Sequence, residues 1–246
     1  MEKNIKDITG KAYWDSFYGA KEGTGPSAVI DFSRYENRVV KWILENEINR
    51  SVPSSVLEIG SGNSLWLTWI GKDFDVKVAG LDYSEAGCRL LQQRFQQFGV
   101  EGSVYCGDLL SKENLCGEQY DLVYSLGVVE HFDDISGAIE AHLKYVKPGG
   151  SLLLTIPNLR AVQGCMAKLW KPQILEMHNI ISARALKDIF RSLQLQHIQS
   201  LYAGLFGFNL LAWNVPPRWP RLEKYYNKIT YYTHRFLDKR SVYWGI

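Results

Sequence analysis

The sequence lacks closely spaced cysteines, long apolar runs and a strong net charge. Its four cysteines, at positions 88, 106, 116 and 165, form no C-x-x-C pair, and its five histidines are scattered. This spacing argues against a disulfide scaffold and against a clustered zinc site. No apolar run approaches the ~18 residues of a membrane span, and we expect no secretory leader. The sequence therefore predicts reduced thiols in a cytoplasmic protein without a transmembrane segment.

Charge is nearly balanced over the whole chain but uneven along it. The formal net charge is +2, so no overall field commits the protein to nucleic acid. Residues 218–240 carry seven Lys or Arg against Glu223 and Asp238, within an aromatic-rich segment, 203–240. Four roles stay open for this segment: binding of an anionic or lipid-linked substrate, contact with a membrane surface, a dimer contact, or an amphipathic helix packed on the domain. The segment resembles no RNA-binding module, and we expect no nucleic-acid partner.

The composition indicates one folded α/β domain. Apolar residues make up 46% of the 246 residues and charged residues 22%, which suits a chain with a full core. Between residues 55 and 156, short apolar runs alternate with amphipathic stretches, the pattern of βαβ units and a parallel sheet. The expected strands are Val56–Ile59, Val76–Leu81, Gly102–Cys106, Asp121–Ser125 and Ser151–Ile156. The expected helices are Tyr35–Glu47, Glu85–Phe98, Ile135–Val146 and Ser182–Leu193, the last with Ser182 as its N-cap.

The pattern changes on both sides of this core. Ahead of it, the stretch AYWDSFYGAKEGTGPS predicts a short aromatic segment followed by a loop. Behind it, Leu195–Tyr202 and the last six residues, SVYWGI, have the composition of strands. Two insertions, 157–181 and 203–240, would then interrupt the later part of the sheet.

A pair of glycines, Gly60 and Gly62, stands between the first expected strand and a helix. Glycine allows the backbone to approach a ligand closely, and a helix N-terminus offers free N–H groups. A P-loop would need a lysine after the glycines, and the run S-G-N-S-L-W contains none. A dinucleotide fingerprint would need glycine at the position of Leu65, so an NAD-dependent oxidoreductase is the weaker alternative.

Acidic residues stand at the ends of three successive strands. They are Glu58, two residues before Gly60, then Asp82, twenty residues after Gly62, and Asp108 in the run YCGDLL. A carboxylate at such a position accepts hydrogen bonds from ribose hydroxyls, and a third acid suits an adenine amino group. Together they favour an adenosine ligand that brings no phosphate.

These motifs resemble those of the class I S-adenosylmethionine-dependent methyltransferases. The runs VLEIGSGNS, GLDYS, GDLL, YDLVYSLGVVEHF and LKYVKPGGSLLLTIPN follow one another in that family's order, over roughly residues 34–202. The family often has glycine where Ser64 stands. The resemblance implies a doubly wound, seven-stranded, mostly parallel Rossmann-like sheet, with residues 1–33 as an aromatic lid, 34–156 as the cofactor-binding core and the two insertions on the substrate side. It implies S-adenosyl-L-methionine as the cofactor, held by Tyr18, Glu58, Gly60, Ser61, Gly62, Asp82, Tyr83, Asp108, Leu109 and Ser125.

Methyl transfer needs reactants held in line and, for some acceptors, a base. Glu130 and His131 follow the fourth strand, where family members place groups that face the substrate, and His178 lies in the first insertion. These three are the candidate catalytic residues. Ubiquinone-pathway O-methyltransferases have a further glutamate three residues before a similar Glu-His pair, and those three side chains suit a divalent metal. This chain has Gly127 there, so we expect no metal.

The run SLGVVEHF, at the fourth strand, resembles that of methyltransferases that act on small molecules. No N-P-P-Y or D-P-P-Y run, which marks many amino-methyltransferases, follows the fourth strand. We expect methylation of an oxygen or nitrogen of a small metabolite. The alternatives are a catalytically silent cofactor-binding or scaffolding subunit of the same fold and the NAD-dependent oxidoreductase. The acceptor's identity and the oligomeric state do not follow from the sequence.

Overall fold

The structure is a computed structural model that describes residues 5–21, 29–32, 35–160 and 162–203. The chain divides into two compact units, one of Met1–Ile30 with Glu47–Ile156 and the other of Asp31–Asn46 with Pro157–Ile246. We call them the sheet unit and the helical unit. None of the helices in the described ranges combines the length and the apolar character that crossing a membrane requires. Residues 203–240 and the final six residues fall almost wholly outside these ranges, so their predicted roles stay predictions.

The sheet unit contains five parallel strands in the order β3-β2-β1-β4-β5. Its strands are β1 (Ser55–Ile59), β2 (Lys77–Asp82), β3 (Gly102–Cys106), β4 (Tyr120–Leu126) and β5 (Val146–Thr155). Its helices are α1 (Lys11–Gly19), α3 (Leu65–Asp73), α4 (Glu85–Phe98) and α5 (Ile135–Leu143), with a 3-10 turn at Val129–His131. Right-handed crossovers place α3 and α4 on one face of the sheet and α5 on the other.

The chain reverses its direction of progress across the sheet between β1 and β4. β1 pairs with both β2 and β4, and all five of its residues are buried. In an open parallel sheet, such a reversal leaves a crevice at the carboxyl ends of the two strands, where ligands bind. The glycine pair and the Glu-His pair predicted from the sequence both follow these two strands.

Local signals fix where the helices begin. Ser64 accepts a hydrogen bond from the Leu67 amide at the start of α3, and Ser84 accepts one from Gly87 at the start of α4. Each satisfies one of the amides that a helix N-terminus leaves unpaired. The predicted bounds of β3 and α4 are confirmed, whereas the predicted helix over Ile135–Val146 ends at Leu143 because β5 starts at Val146.

The helical unit contains α6 (Val162–Trp170), α7 (Gln173–Glu176) and α8 (Ala183–Ser192). Ser182 caps α8 by accepting a hydrogen bond from the Ala185 amide, as predicted. The long helix α2 (Tyr35–Ser51) runs across the division between the two units. Its predicted end, Glu47, falls four residues before the observed one.

The predicted strand over Leu195–Tyr202 is wrong. These residues are described and form no strand. Gln194 and His197 have φ of 58° and 53°, and left-handed residues interrupt the extended backbone that a strand needs. The described residues therefore form five strands of the seven expected, all of them parallel.

Candidate cofactor and active site

The glycine turn after β1 depends on the absence of two side chains. Gly60 and Gly62 have φ of 71° and 40°, values that disfavour other residues. A Cβ at Gly60 would lie 2.5 Å from Val128 Cγ2, and one at Gly62 would lie 2.1 Å from the Tyr18 hydroxyl. The amides of Gly60 and Ser61 donate to the Leu81 carbonyl at 2.8 and 3.2 Å. The turn is thereby tied to the end of β2.

Asp82, at the end of β2, holds the turn in place. Its Oδ2 accepts a hydrogen bond from the Gly62 amide at 2.7 Å, and its Oδ1 accepts one from the Ser84 amide at 2.8 Å. Burial raises its pKa to about 6, against the opposing effect of the backbone hydrogen bonds. Asp82 is therefore mainly ionised at neutral pH, and it is an acceptor at the reversal point of the sheet.

Glu58, in β1, is a buried acid with a different state of charge. Its Oε2 accepts a hydrogen bond from the Tyr124 hydroxyl at 2.8 Å. Burial raises its pKa to about 8, while hydrogen bonds from Ser64 and Tyr124 oppose the shift. Glu58 is therefore mainly protonated at neutral pH. Next to it in the turn, the buried Ser61 hydroxyl has no hydrogen-bond partner within the described chain.

A cleft of about 410 Å³ opens beside the ends of β2 and β3. The exposed Asp108 lines this cleft, and its Oδ1 accepts a hydrogen bond from the Leu110 amide at 2.8 Å. Leu109 is buried, and its carbonyl accepts a hydrogen bond from Lys144 Nζ at 3.0 Å. The residues that line the cleft are Asp7, Lys11, Tyr83, Glu85, Cys106, Gly107 and Asp108.

Residues 5–10, ahead of α1, reach both sides of the reversal point. Asp7 forms an antiparallel bridge with Phe132 and accepts a hydrogen bond from the Tyr83 hydroxyl. The Ile8 amide donates to the His131 carbonyl at 2.8 Å. We call residues 5–10 the amino-terminal strap. The strap joins the loop after β2 to the loop after β4, and α1 then packs against α4.

The predicted aromatic segment forms α1 and brings Tyr18 to the glycine turn. The Tyr18 ring lies beside Gly87, 3.1 Å from the position of a Cβ there, and its hydroxyl faces Gly62. Burial raises the pKa of Tyr18 well above its usual value, and the nearby Asp82 and Glu58 add to this effect. Trp14 stacks with Tyr18 and meets the His131 ring edge-on, at 5.5 Å between ring centroids.

Glu130 and His131 lie together in the 3-10 turn after β4, and both are buried. The Glu130 carboxyl oxygens meet no partner elsewhere in the described chain. Burial raises its pKa to about 8, with a smaller opposing effect of its own amide. His131 Nδ1 lies 2.7 Å from the Thr9 hydroxyl, so the strap orients its ring. Gly127 has φ of 75°, and a Cβ there would lie 3.3 Å from Glu130 Oε1.

Two other predicted residues, Ser125 and His178, have hydrogen-bond partners of their own. Ser125 is fully buried, and its hydroxyl lies 3.2 Å from His142 Nε2. His142 Nδ1 lies 2.7 Å from the Ala138 carbonyl, which accepts only, so Nδ1 carries the proton and Ser125 donates to Nε2. His178 belongs to the helical unit, where its Nδ1 donates to the Ile174 carbonyl at 2.6 Å. Burial lowers the pKa of His178.

Several residues that build this site gave no recognisable signal in the sequence. Asp7, Thr9 and Tyr124 act through contacts with residues far along the chain, and no local pattern marks them. Lys144, which donates to the Leu109 and Ser111 carbonyls, sits in an otherwise ordinary amphipathic helix end. By contrast, Tyr18, Gly62 and Asp82 were singled out in the sequence, and the structure brings these three residues together.

Comparison with known proteins identifies the family. A family model described as a methyltransferase domain matches residues 32–200. A ubiquinone biosynthesis O-methyltransferase of Pseudomonas entomophila is 29% identical over 140 residues, which are 56% of this chain and 58% of that protein. The match thus spans less than two thirds of that relative's length.

Solved structures agree on the fold. A magnesium protoporphyrin IX methyltransferase from Synechocystis, with S-adenosylhomocysteine bound, superposes with a TM-score of 0.60 at 16% identity, covering 82% of this chain and 95% of that one. An O-methyltransferase family protein from Burkholderia thailandensis has a TM-score of 0.57 at 15% identity, covering 84% and 62%. The chain therefore belongs to the methyltransferase domain family, in its class I S-adenosylmethionine-dependent branch, which confirms the prediction from the motifs.

Proposed function

We propose that the chain transfers a methyl group from S-adenosyl-L-methionine to an oxygen or nitrogen of a small metabolite. The observation that carries the proposal is the glycine turn at the reversal point of the sheet, with Asp82 bound to it and Asp108 at the adjoining cleft. Among the relatives, names such as ubiquinone biosynthesis O-methyltransferase and malonyl-[acyl-carrier protein] O-methyltransferase favour oxygen as the acceptor atom.

The acceptor capacity of Asp82 fits the ribose of this cofactor. A carboxylate offers about four lone-pair positions, and two backbone amides already use two of them. Two positions are left for the two ribose hydroxyls. Asp82 then has two functions, because it holds the glycine turn and accepts from the sugar.

The adjoining cleft fits the adenine. Its volume of about 410 Å³ lies within the range of ~300–1,000 Å³ that is usual for small-molecule pockets. Tyr83 supplies an aromatic wall, and the exposed Asp108 carboxylate is an acceptor for an amino group. Leu109, buried beside them, supplies an apolar contact.

The other side of the turn fits the amino-acid end of the cofactor. The unsatisfied, buried Ser61 hydroxyl and the Tyr18 hydroxyl both lie at Gly60–Gly62, and buried polar groups without partners are costly unless a ligand meets them. Glu58 supports this side through its hydrogen bond with Tyr124. We assign Ser125, in β4, a supporting role rather than a direct contact with the cofactor, because its hydroxyl is hydrogen-bonded to His142.

The cofactor supplies an activated methyl group on a sulfonium, so the protein's work is to align the acceptor and to receive its proton. We assign His131 as the base, since Thr9 fixes its ring through Nδ1. Glu130 is mainly protonated at neutral pH because of its burial. Its role toward a bound acceptor is therefore to donate a hydrogen bond rather than to remove a proton. His178 keeps its proposed role as a base or substrate contact; its lowered pKa leaves it neutral at pH 7.

Calorimetric titration tests the cofactor assignment. We expect wild-type protein to bind S-adenosylmethionine and S-adenosylhomocysteine but not NAD. In Asp82→Ala, the loss of two hydrogen bonds from the ribose to a charged group weakens adenosyl binding by about 100-fold or more. Asp75→Ala, which changes an exposed aspartate on the loop before β2, is the matched control and keeps wild-type affinity. Binding of NAD without either adenosyl ligand would refute the proposal.

Turnover distinguishes an enzyme from a silent relative of the same fold. Release of S-adenosylhomocysteine is measured with small hydroxyl-bearing and amine-bearing acceptors. Activity in wild type that falls in His131→Ala, with cofactor affinity kept, supports the assignment of the base. Cofactor binding without turnover on any acceptor would favour the catalytically silent alternative.

A further inference from the structure

Two cysteines, one exposed and one buried, meet at the end of β3. Cys106 is the last residue of β3, and it is exposed and lines the cleft. Cys88 lies near the start of α4 and is 4% exposed. Both thiols are free, and the proposed methyl transfer uses neither of them.

Backbone contacts place the Cys88 sulfur beside Cys106. Cys88 Sγ lies 3.3 Å from the carbonyl oxygen of Asp82 and 3.7 Å from that of Tyr105. The Tyr105 carbonyl belongs to the peptide group that joins Tyr105 to Cys106. On the other side of Cys106, the Gly107 amide donates to the same Asp82 carbonyl at 2.9 Å. The Cys88 sulfur therefore lies against the backbone on both sides of Cys106.

The side chains of the two cysteines also point toward each other. A Cβ at Gly102, at the start of β3, would lie 2.5 Å from Phe95 Cε2 of α4. Cys106 follows four residues later in the strand, so its side chain extends to the same face, toward α4. Cys88 lies seven residues before Phe95, on the same face of the helix. Because a crossover helix runs antiparallel to the strand that follows it, Phe95 covers the start of β3 and Cys88 covers its end.

We propose that a hydroperoxide oxidises Cys106 and Cys88 to a reversible disulfide, which closes the cleft to the adenosyl ligand. The inference rests on the proposed function, because it concerns the regulation of that cleft. An accessible thiol with a second thiol beside it is the usual arrangement of redox-sensing cysteines. In proteins of reducing compartments, such disulfides are transient rather than structural.

The reaction takes place in two steps. The Cys106 sulfur attacks one peroxide oxygen, the O–O bond breaks, and a sulfenic acid forms while an alcohol leaves, or water where the oxidant is hydrogen peroxide. The Cys88 sulfur then attacks the Cys106 sulfur. The S–S bond forms, the S–O bond breaks, and the departing oxygen takes the Cys88 proton and leaves as water. Two thiols and one hydroperoxide thus give one disulfide, one alcohol and one water, with two electrons passing from sulfur to the peroxide.

The surroundings of the two sulfurs fix the order of the steps and the class of oxidant. Burial raises the pKa of the Cys88 thiol, and its hydrogen bond with Cys106 adds to this effect, so the buried Cys88 stays a protonated thiol until Cys106 has reacted. Three acids, Asp7, Glu85 and Asp108, line the cleft together with Lys11. Their negative charge disfavours an anionic oxidant such as oxidised glutathione, whereas it does not repel a neutral hydroperoxide.

The disulfide acts on the residues that receive the adenosyl group. It removes the S–H donor from the Asp82 carbonyl, and it draws Cys106 toward α4, because a bonded pair of sulfurs lies closer than a contact pair. Gly107 and Asp108, which follow Cys106 in the wall of the cleft, move with it. In the other direction, a ligand that fills the cleft shields Cys106 from the oxidant.

Peptide mapping by mass spectrometry tests the pairing on the full chain. After treatment with hydrogen peroxide and blocking of the remaining thiols, we expect a linked pair of peptides that contain Cys88 and Cys106, and dithiothreitol separates them. Cys165→Ser, which changes the other exposed cysteine, is the matched control and forms the same disulfide. Cys88→Ser forms none, and dimedone traps a sulfenic acid on its Cys106. Oxidation of Cys106 in folded wild type without a link to Cys88, or equal yields of the disulfide from oxidised glutathione, would overturn the proposal.

Calorimetry with S-adenosylhomocysteine tests the effect on the cleft. We expect the disulfide to weaken binding by about 10-fold or more in wild type and in Cys165→Ser, and dithiothreitol to restore it. Saturating S-adenosylhomocysteine should in turn slow disulfide formation. Unchanged affinity in fully linked protein, or equal rates of oxidation with and without the ligand, would refute closure of the cleft. If reduced protein binds no adenosyl ligand, the proposed function fails instead, and the peptide map still decides whether the two cysteines pair.

Discussion

Glu130 should make the protein less stable as the pH rises, and Glu130→Gln should remove that dependence. The pKa of Glu130 is raised to about 8 by burial, so between about pH 4.5 and 8 the folded state holds a proton that the unfolded state has lost. Each pH unit within this window costs up to ~1.4 kcal/mol. Between pH 6 and 8, Glu130 therefore lowers the free energy of unfolding by about 2 kcal/mol.

Urea unfolding at both pH values, followed by tryptophan fluorescence, measures this difference. Glutamine keeps the shape of the side chain and does not titrate, so the variant should lose about 2 kcal/mol less than wild type between pH 6 and 8. Glu58 and Asp82, whose pKa values are also raised, contribute equally to both proteins. Glu101→Gln, at an exposed loop position, is the matched control and should follow wild type. If Glu130→Gln and wild type show the same pH dependence, the reasoning from burial is wrong.

Two further predictions concern the glycine turn and the strap. Gly62→Ala should abolish adenosyl binding in calorimetry and destabilise the protein by several kcal/mol, because its Cβ would overlap the Tyr18 hydroxyl at a positive φ. Gly19→Ala, which has open space around its Cβ, is the control and should be neutral. Normal binding by Gly62→Ala would contradict the assigned turn. Asp7→Asn weakens the hydrogen bond with the Tyr83 hydroxyl, so limited trypsin digestion should cleave the amino-terminal strap faster than in wild type. Equal cleavage rates in the two proteins would show that this hydrogen bond does not hold the strap in place.

Local signals in the sequence predicted the helices and strands of the core well. Ser182 was recognised as an N-cap because capping depends on one residue and the amides that follow it. The bounds of β3 and α4 were also predicted correctly, since alternation and helical periodicity are local properties. Leu195–Tyr202 was predicted wrongly because strand composition does not supply the neighbouring strand that pairing requires.

The candidate site was predictable where its residues follow strand ends. Gly60, Gly62 and Asp82 occur at fixed distances from apolar runs, and parallel strands bring their carboxyl ends to one edge. The sequence did not reveal that Asp82 binds the amides of the turn, or that Tyr124 hydrogen-bonds Glu58. Those contacts depend on strand order, which places β4 next to β1.

The sequence by itself determined the family, the alternation of strands and helices, and the turn and acids that suit an adenosine ligand. Only the tertiary structure decided which side chains are charged and which have hydrogen-bond partners. Burial keeps Glu58 and Glu130 mainly protonated and leaves Asp82 mainly ionised at neutral pH. Burial and hydrogen bonding are properties of packed neighbours, and residues far apart in the chain become neighbours only when the sheet assembles.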